Sequence, residues 1–196
     1  MILWQEGFEW GGIAVFEQLP ISGLVLVTPS LFRDERGFFM ESWRRELWAS
    51  AGISLDFEQD NHSLSQYGTL RGLHYQTTPG QGKLIRCTRG KIWDVAVDLR
   101  KESSTYGRWH AVVLDSEKHQ QFWIPVGFAH GFCVLSQEAE VQYKCTSVYN
   151  PKTEAGIAWN DPDLAIEWPV QRPLLSQRDQ SNPSFRSTSA VLSPGE

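Results

Sequence analysis

Ile92-Trp93-Asp94-Val95-Ala96-Val97-Asp98-Leu99 alternates residue by residue, with Trp93, Val95, Val97 and Leu99 on one side. That period of two is the pattern of a strand whose side chains point to opposite faces. Strand-length runs recur throughout the chain: Leu24–Val27, Phe38–Glu41, Leu55–Asn61, Thr69–Gln76, Lys83–Thr88, Trp109–Leu114, Gln121–Pro125, Gly131–Leu135 and Val141–Tyr149. Turn chemistry separates them, as at Asp34-Glu35-Arg36-Gly37 and Arg89-Gly90, where glycine accepts positive φ. One stretch has helical spacing: Trp43, Leu47 and Trp48 ahead of Gly52 predict a short helix over 42–51. Many short strands with one or a few short helices predict an all-β jelly roll or barrel. Nine tryptophans, ten phenylalanines and 196 residues supply enough apolar mass for one sizeable core.

A net charge of −5 speaks against nucleic-acid or polyanion binding across the surface, so an anionic ligand needs a local basic pocket. Three cysteines, Cys87, Cys133 and Cys145, are too few and oddly numbered for a disulfide framework. Their apolar settings predict buried free thiols and a cytoplasmic protein. No apolar run reaches the roughly 20 residues that span a bilayer, and Met1-Ile2-Leu3-Trp4-Gln5-Glu6 lacks the basic start of a signal peptide. No membrane partner is expected. Residues 1–16 read as an N-terminal extension, an arm or edge strand, and 17–183 as the domain. Beyond about Ser181, Ser, Pro and Gly prevail without a core pattern, so 184–196 are expected to form a flexible tail.

Polar chemistry concentrates in Asn61-His62-Ser63-Leu64-Ser65-Gln66-Tyr67-Gly68-Thr69-Leu70-Arg71-Gly72-Leu73-His74-Tyr75-Gln76. Regular alternation would put Leu70, Gly72 and His74 on one face and Arg71, Leu73 and Tyr75 on the other, with Gly72 able to relax the pleat. A histidine on a strand among apolar neighbours can be held in one tautomer and tuned near neutral pH.

Pro125-Val126-Gly127-Phe128-Ala129-His130 has the P-x-G-x-x-H form of the second cupin motif. The first motif of metal-bearing cupins supplies H-x-H and then a Glu. Here that place reads His74-Tyr75-Gln76, with Lys83 beyond it. Glutamine is a poor transition-metal ligand and an ammonium repels a cation, so no metal and no cofactor are expected. Histidines, a lysine and tyrosines around one cavity suit proton transfer beside a carbonyl. That chemistry needs a base, a donor for the enolate oxygen and an acid. His74 can be the base, Lys83 the positive charge, and Tyr143 the acid, since a phenol both donates and accepts.

These segments together resemble the dTDP-4-dehydrorhamnose 3,5-epimerase family. The likeness is carried by Asp34–Glu41, Gln59–Ser63, Leu70–Gln76, Gln81–Arg86, Asp94–Arg100, Ile124–Phe132, Trp159–Pro162 and Leu175–Asp179, in order, from about residue 17 to 183. It implies a cofactor-independent epimerase on a cupin-type jelly roll, a homodimer that inverts C3 and C5 of dTDP-4-dehydro-6-deoxy-D-glucose in dTDP-L-rhamnose synthesis. It assigns His74 as proton acceptor, Asp179 as its partner, Tyr143 as proton donor, and Lys83 to the neighbourhood of the C4 oxygen. It also places Arg36, Glu41, Gln59, Asp60, Asn61, Arg71, His130, Glu154 and Arg178 around the nucleotide-sugar. Arg36 and Arg71 suit the diphosphate because guanidinium forks match phosphate oxygens. Tyr149 would stack on thymine, and the Arg36 segment would serve the neighbouring subunit. Arg178 stands where lysine is usual in the family, and Ser104 where proline is common.

His62 reads as structural, because the resemblance puts the base at His74. Three functions remain open on sequence. The first is the 3,5-epimerase, with a mono-epimerase at C3 or C5 on a related dTDP-4-keto sugar as its variant. The second is a metal-dependent cupin oxygenase or isomerase, against which Gln76 and Lys83 speak. The third is a non-catalytic nucleotide-sugar binding module, which gives no reason for base, partner and acid to occur together.

Overall fold

The computed structural model describes residues 14–54 and 56–188. Its strands, numbered in chain order, form two antiparallel sheets. The larger has the spatial order β1 (Ala14–Gln18), β2 (Val25–Pro29), β10 (Gln121–Ile124), β7 (Lys83–Arg89), β12 (Glu138–Cys145) and β5 (Gln59–Gln66). The smaller has the order β13 (Glu154–Gly156), β6 (Leu70–Gln76), β11 (Phe128–Val134), β8 (Lys91–Asp98) and β9 (Trp109–Asp115). A separate hairpin joins β3 (Phe32–Asp34) to β4 (Gly37–Phe39). This is the expected all-β jelly roll of cupin type.

The two sheets close on a core of Ile85, Cys87, Phe122, Ile124 and Val141 from the larger, with Ala96, Phe128 and Phe132 from the smaller. The outer face of the smaller sheet is also covered. Trp93, Val95, Val97 and Leu99 share a cluster there with Leu73, Tyr75 and the later-chain residues Ile157, Leu164 and Trp168, so the alternation of 92–99 has its predicted sense. Helix α1 (Arg45–Ser50), inside the expected 42–51, covers the outer face of the larger sheet by seating Trp48 beside Val25, Val27, Leu84 and Trp123. All three cysteines are buried and free.

Some details depart from the sequence reading. β3, β13 and helix α2 (Gln177–Gln180) have no counterpart in it, being too short to show a period. Ala14–Gln18 pair with β2 as an edge strand, one of the two forms expected for the N-terminal residues; residues 1–13 lie outside the described part. The start of the expected tail is packed. Phe185 N–H donates to buried Asp161 at 2.8 Å, and Arg186 forms an ion pair with Asp163 at 2.7 Å. Residues 189–196 lie outside the described part, as does Leu55 at the head of one expected strand. Among the described residues no helix is long and apolar enough to cross a membrane.

Candidate active site

Gly72 is where β6 departs from simple alternation. Its φ is +132°, and a Cβ there would lie 2.6 Å from Gly131 Cα and 2.9 Å from the His130 carbonyl, so only glycine fits. The pairing of β6 with β11 slips at the same place: His130 opposes His74, whereas Phe132 opposes Arg71. The slip overturns the face assignment made from alternation. Leu70 packs outward with Cys133 and Val170, and Leu73 and Tyr75 also lie outside. Arg71 and His74 both turn inward, Arg71 opposite core residue Phe132. A bulge of this kind re-aims side chains, and here it delivers an arginine and a histidine to one cavity wall.

His74 Nε2 lies 2.5 Å from Asp179 Oδ1. Asp179 sits in the short α2, where Ser176 caps the helix by accepting from the Asp179 N–H at 3.1 Å and donating to Oδ2 at 2.9 Å. Burial alone would raise the Asp179 pKa, but the His74 hydrogen bond and charge, with Ser176 and Arg178, hold it below the ordinary carboxylate value. The carboxylate therefore fixes Nε2 as the protonated nitrogen of neutral His74 and leaves Nδ1 as the basic one.

The opposite wall belongs to the larger sheet. Across β12, β5 and β7, Tyr143 registers with Asn61 and Ile85, and Cys145 with Gln59 and Lys83. Directly opposed residues share a face, so Gln59, Asn61, Lys83 and Tyr143 all look inward. Lys83 is buried, and loss of solvent pulls its pKa down against the pull of Cys145, Glu154 and Asp94. Burial, with Cys145 and Glu154 nearby, pushes the Tyr143 phenol above its usual value, opposed by Arg71. Arg71 Nε donates to Ser65 at 3.0 Å, linking the two sheets.

At one end of the cavity Arg178 donates to Glu154 at 2.7 Å. The Tyr149 hydroxyl also bonds Glu154, which raises the phenol pKa. Gln59 braces this corner, donating to Asn61 at 2.9 Å and accepting from the Tyr149 N–H at 2.8 Å. Gln76, in the cupin ligand position, is committed to loop carbonyls: its amide donates to Pro79 at 3.2 Å and Val148 at 3.3 Å and accepts from Asn150 at 3.0 Å.

Not every expected residue joins this group. Asp60 and His62 point to the outer face of the larger sheet. Asp60, 69% exposed, pairs there with Lys144 at 3.0 Å, and His62 with Glu140 at 3.1 Å. A hollow of about 260 Å³ beside them is lined by Asp60, His62, Arg86 and Gln142, and Asn61 and Tyr143 border it as well. Arg36 is 82% exposed at the tip of the β3–β4 hairpin, paired with its neighbour Asp34. Glu41 pairs with Arg44 at 3.0 Å. Sequence reading gave no role to Asp94, which is fully buried and bonded through both oxygens to His130 Nε2, at 2.9 and 3.0 Å. The signal was present: alternation puts Asp94 on the face opposite Trp93, which in a two-sheet fold is the interior.

A jelly roll whose interior sets a histidine–aspartate pair on one sheet against a tyrosine and a buried lysine on the other is built for moving protons. The model of the dTDP-4-dehydrorhamnose 3,5-epimerase family matches residues 18–187. A dTDP-4-dehydrorhamnose 3,5-epimerase of Shigella flexneri is 53% identical over 167 residues, 84% of this chain and 92% of the relative. The crystal structure of dTDP-6-deoxy-D-glucose-3,5-epimerase from Legionella pneumophila, in complex with dTDP-4-keto-L-rhamnose, superposes with a TM-score of 0.87 at 44% identity, covering 90% of this chain and 95% of that one. A 3'-monoepimerase of Streptomyces bikiniensis, in complex with dTDP-quinovose, reaches 0.81 at 38%, covering 86% of each chain. The chain belongs to the dTDP-4-dehydrorhamnose 3,5-epimerase family.

Proposed function

We propose that this chain converts dTDP-4-dehydro-6-deoxy-D-glucose to dTDP-4-dehydro-L-rhamnose by inverting C3 and C5 without a cofactor. The observation that carries the reading is His74, held by Asp179 on one sheet, facing a cavity whose other wall bears Tyr143 and Lys83. His74 Nδ1 takes the proton from the carbon beside the ketone, and the C–H pair becomes the enolate with charge on the C4 oxygen. The Lys83 ammonium stabilises that oxygen. Tyr143 returns a proton from the opposite face of the ring, so the carbon is inverted. His74 and Tyr143 recover their starting protonation by exchange with solvent. Both epimerised carbons flank the same ketone, so one base–acid pair serves each in turn after the ring readjusts.

In this reading Arg71 holds the diphosphate, Tyr149 stacks on thymine, and Gln59, Asn61, His130, Glu154 and Arg178 line the remainder of the site. Arg36 and Glu41 reach the substrate of a second copy in a homodimer; the exposure of Arg36, Phe38 and Phe39 on one hairpin supports this. The Asp60 side chain, paired with Lys144 on the outer face, stays outside this site. The compartment we assign is the cytoplasm, in keeping with three buried free thiols.

The test is NMR of the 4-keto substrate with purified protein in D₂O. Deuterium at C3 and C5 with inversion at both is expected. Label at one carbon alone makes the chain a mono-epimerase, and label at neither overturns the catalytic reading.

A further inference from the structure

The cavity holds a second histidine–aspartate pair. His130 stands directly opposite His74 in the β6–β11 pairing. Asp94, on the next strand β8, approaches the His130 ring from the side, and both of its oxygens lie within hydrogen-bond distance of Nε2. Asp94 has no exposed surface and His130 is buried. An acid sunk this deep is costly unless its charge has a use or a partner, and the core around it, from Ala96 to Phe132, is apolar. The basic groups whose charge acts on it are His130 and, from the other sheet, Lys83.

We propose that Asp94 is a positioning residue for the epimerisation: its carboxylate locks His130 as the Nε2–H tautomer, presenting bare Nδ1 to the sugar, and serves as the countercharge of the Lys83 ammonium. The role of Lys83 in this inference rests on the function proposed above. The charges that act on Lys83 are those of Cys145, Glu154 and Asp94, which hold its proton, and of Arg178, which works against it, and Lys83 in turn acts on His130. Of these groups Asp94 and Glu154 are the carboxylates, and Glu154 is already paired to Arg178. Burial works to strip the proton from Lys83 and to neutralise Asp94 and His130. Removing the Asp94 charge leaves burial of Lys83 less opposed, so its proton is lost at lower pH.

The experiment is the pH profile of kcat and kcat/KM for Asp94→Asn, with the dissociation constant of dTDP as a control on the nucleotide end. Expected are a fall in kcat of about tenfold to a hundredfold, the scale on which losing a carboxylate that orients a histidine acts, a movement of the alkaline limb to lower pH, and unchanged dTDP affinity. A wild-type kcat with an unmoved alkaline limb overturns the proposal. Because the variant removes a buried group and can fail to fold, ¹⁵N-histidine NMR of the unaltered protein provides a second reading. His130, assigned through His130→Gln, is expected with a protonated Nε2 and a bare Nδ1; the opposite tautomer overturns the proposal. If the unaltered enzyme epimerises nothing, the proposed function fails, while the tautomer still reports on Asp94.

Discussion

At His74 the two ring nitrogens have separate tasks. Nε2 belongs to Asp179, whose depressed pKa keeps it ionised at neutral pH, and in the proposed mechanism Nδ1 is the nitrogen that meets the substrate. Stabilising the imidazolium in this way is what an aspartate does in other histidine pairs. His74→Ala should therefore lower kcat by at least about 10²-fold while dTDP binding, measured by calorimetry, stays close to wild type. A variant turning over normally removes His74 from the mechanism. Tyr143→Phe should still let deuterium enter from D₂O on the His74 face but lose inversion by a similar factor. Full inversion at normal rate means that another acid is at work. Arg71→Ala should weaken substrate binding about tenfold or more, as loss of a charged hydrogen bond does; an unchanged dissociation constant removes Arg71 from the diphosphate.

At the scale of the element, β6 is the piece on which the site depends. Gly72→Ala would force a side chain against the β11 backbone at a φ that L-residues avoid, at a cost of about 2–4 kcal/mol from combined overpacking and strain. The expected readout is a lower urea midpoint with an unchanged m-value; a midpoint equal to wild type would show that the strand can slide without penalty. The same strand marks where sequence reading stops. Ile92–Leu99 was legible because its period is unbroken and each face meets one environment. In β6 the period breaks at a glycine, and which side of the break faces the core depends on β11, far along the chain. Regular alternation thus set Arg71 and His74 apart, whereas the slip brings them together. Asp60 shows a related limit. It lies beside Asn61 in a segment with many polar neighbours, and polar residues on both faces of an edge strand leave the inward face unmarked. The arginine, the lysine, the tyrosine and both histidines of the cavity were nonetheless nameable, because the altered cupin motifs and the family resemblance single them out where strand periodicity does not.

For the molecule as a whole, buried titratable groups bound the pH range of stability. Asp98 is opposed by burial but held low by Arg100, Thr105 and Ser103, and Asp179 is held low chiefly by His74. Their stabilisation is present above the unfolded carboxylate pKa, about 3.9, and is lost as pH falls through their lower native values. Cys87 and Cys133 are pushed up to about 12 by burial. An unfolded thiol loses its proton near pH ~8.5, so their contribution fades as pH rises from there toward 12. Calorimetric Tm should be flat around neutrality and fall on both sides, and alkylation of native protein at mildly alkaline pH should spare both thiols. A Tm that rises under acid, or rapid labelling of either cysteine, contradicts these assignments. The hairpin carrying Arg36 gives a test at the level of assembly. Light scattering should report twice the chain mass, and mixing Arg36→Ala with His74→Ala chains should restore part of the activity that each lacks alone. A monodisperse monomer with full activity excludes a shared site.

His74 and the carboxylate that holds it are 105 positions apart, and the later of the two comes from a four-residue helix close to the end of the described chain. A ribosome has thus polymerised every described strand of both sheets before it adds the residue that, in the proposed mechanism, readies the base. A chain cut short after β13 would carry every strand of the jelly roll and still be chemically silent. In the proposed mechanism the arrival of this helix and competence for chemistry are joined in a single hydrogen bond.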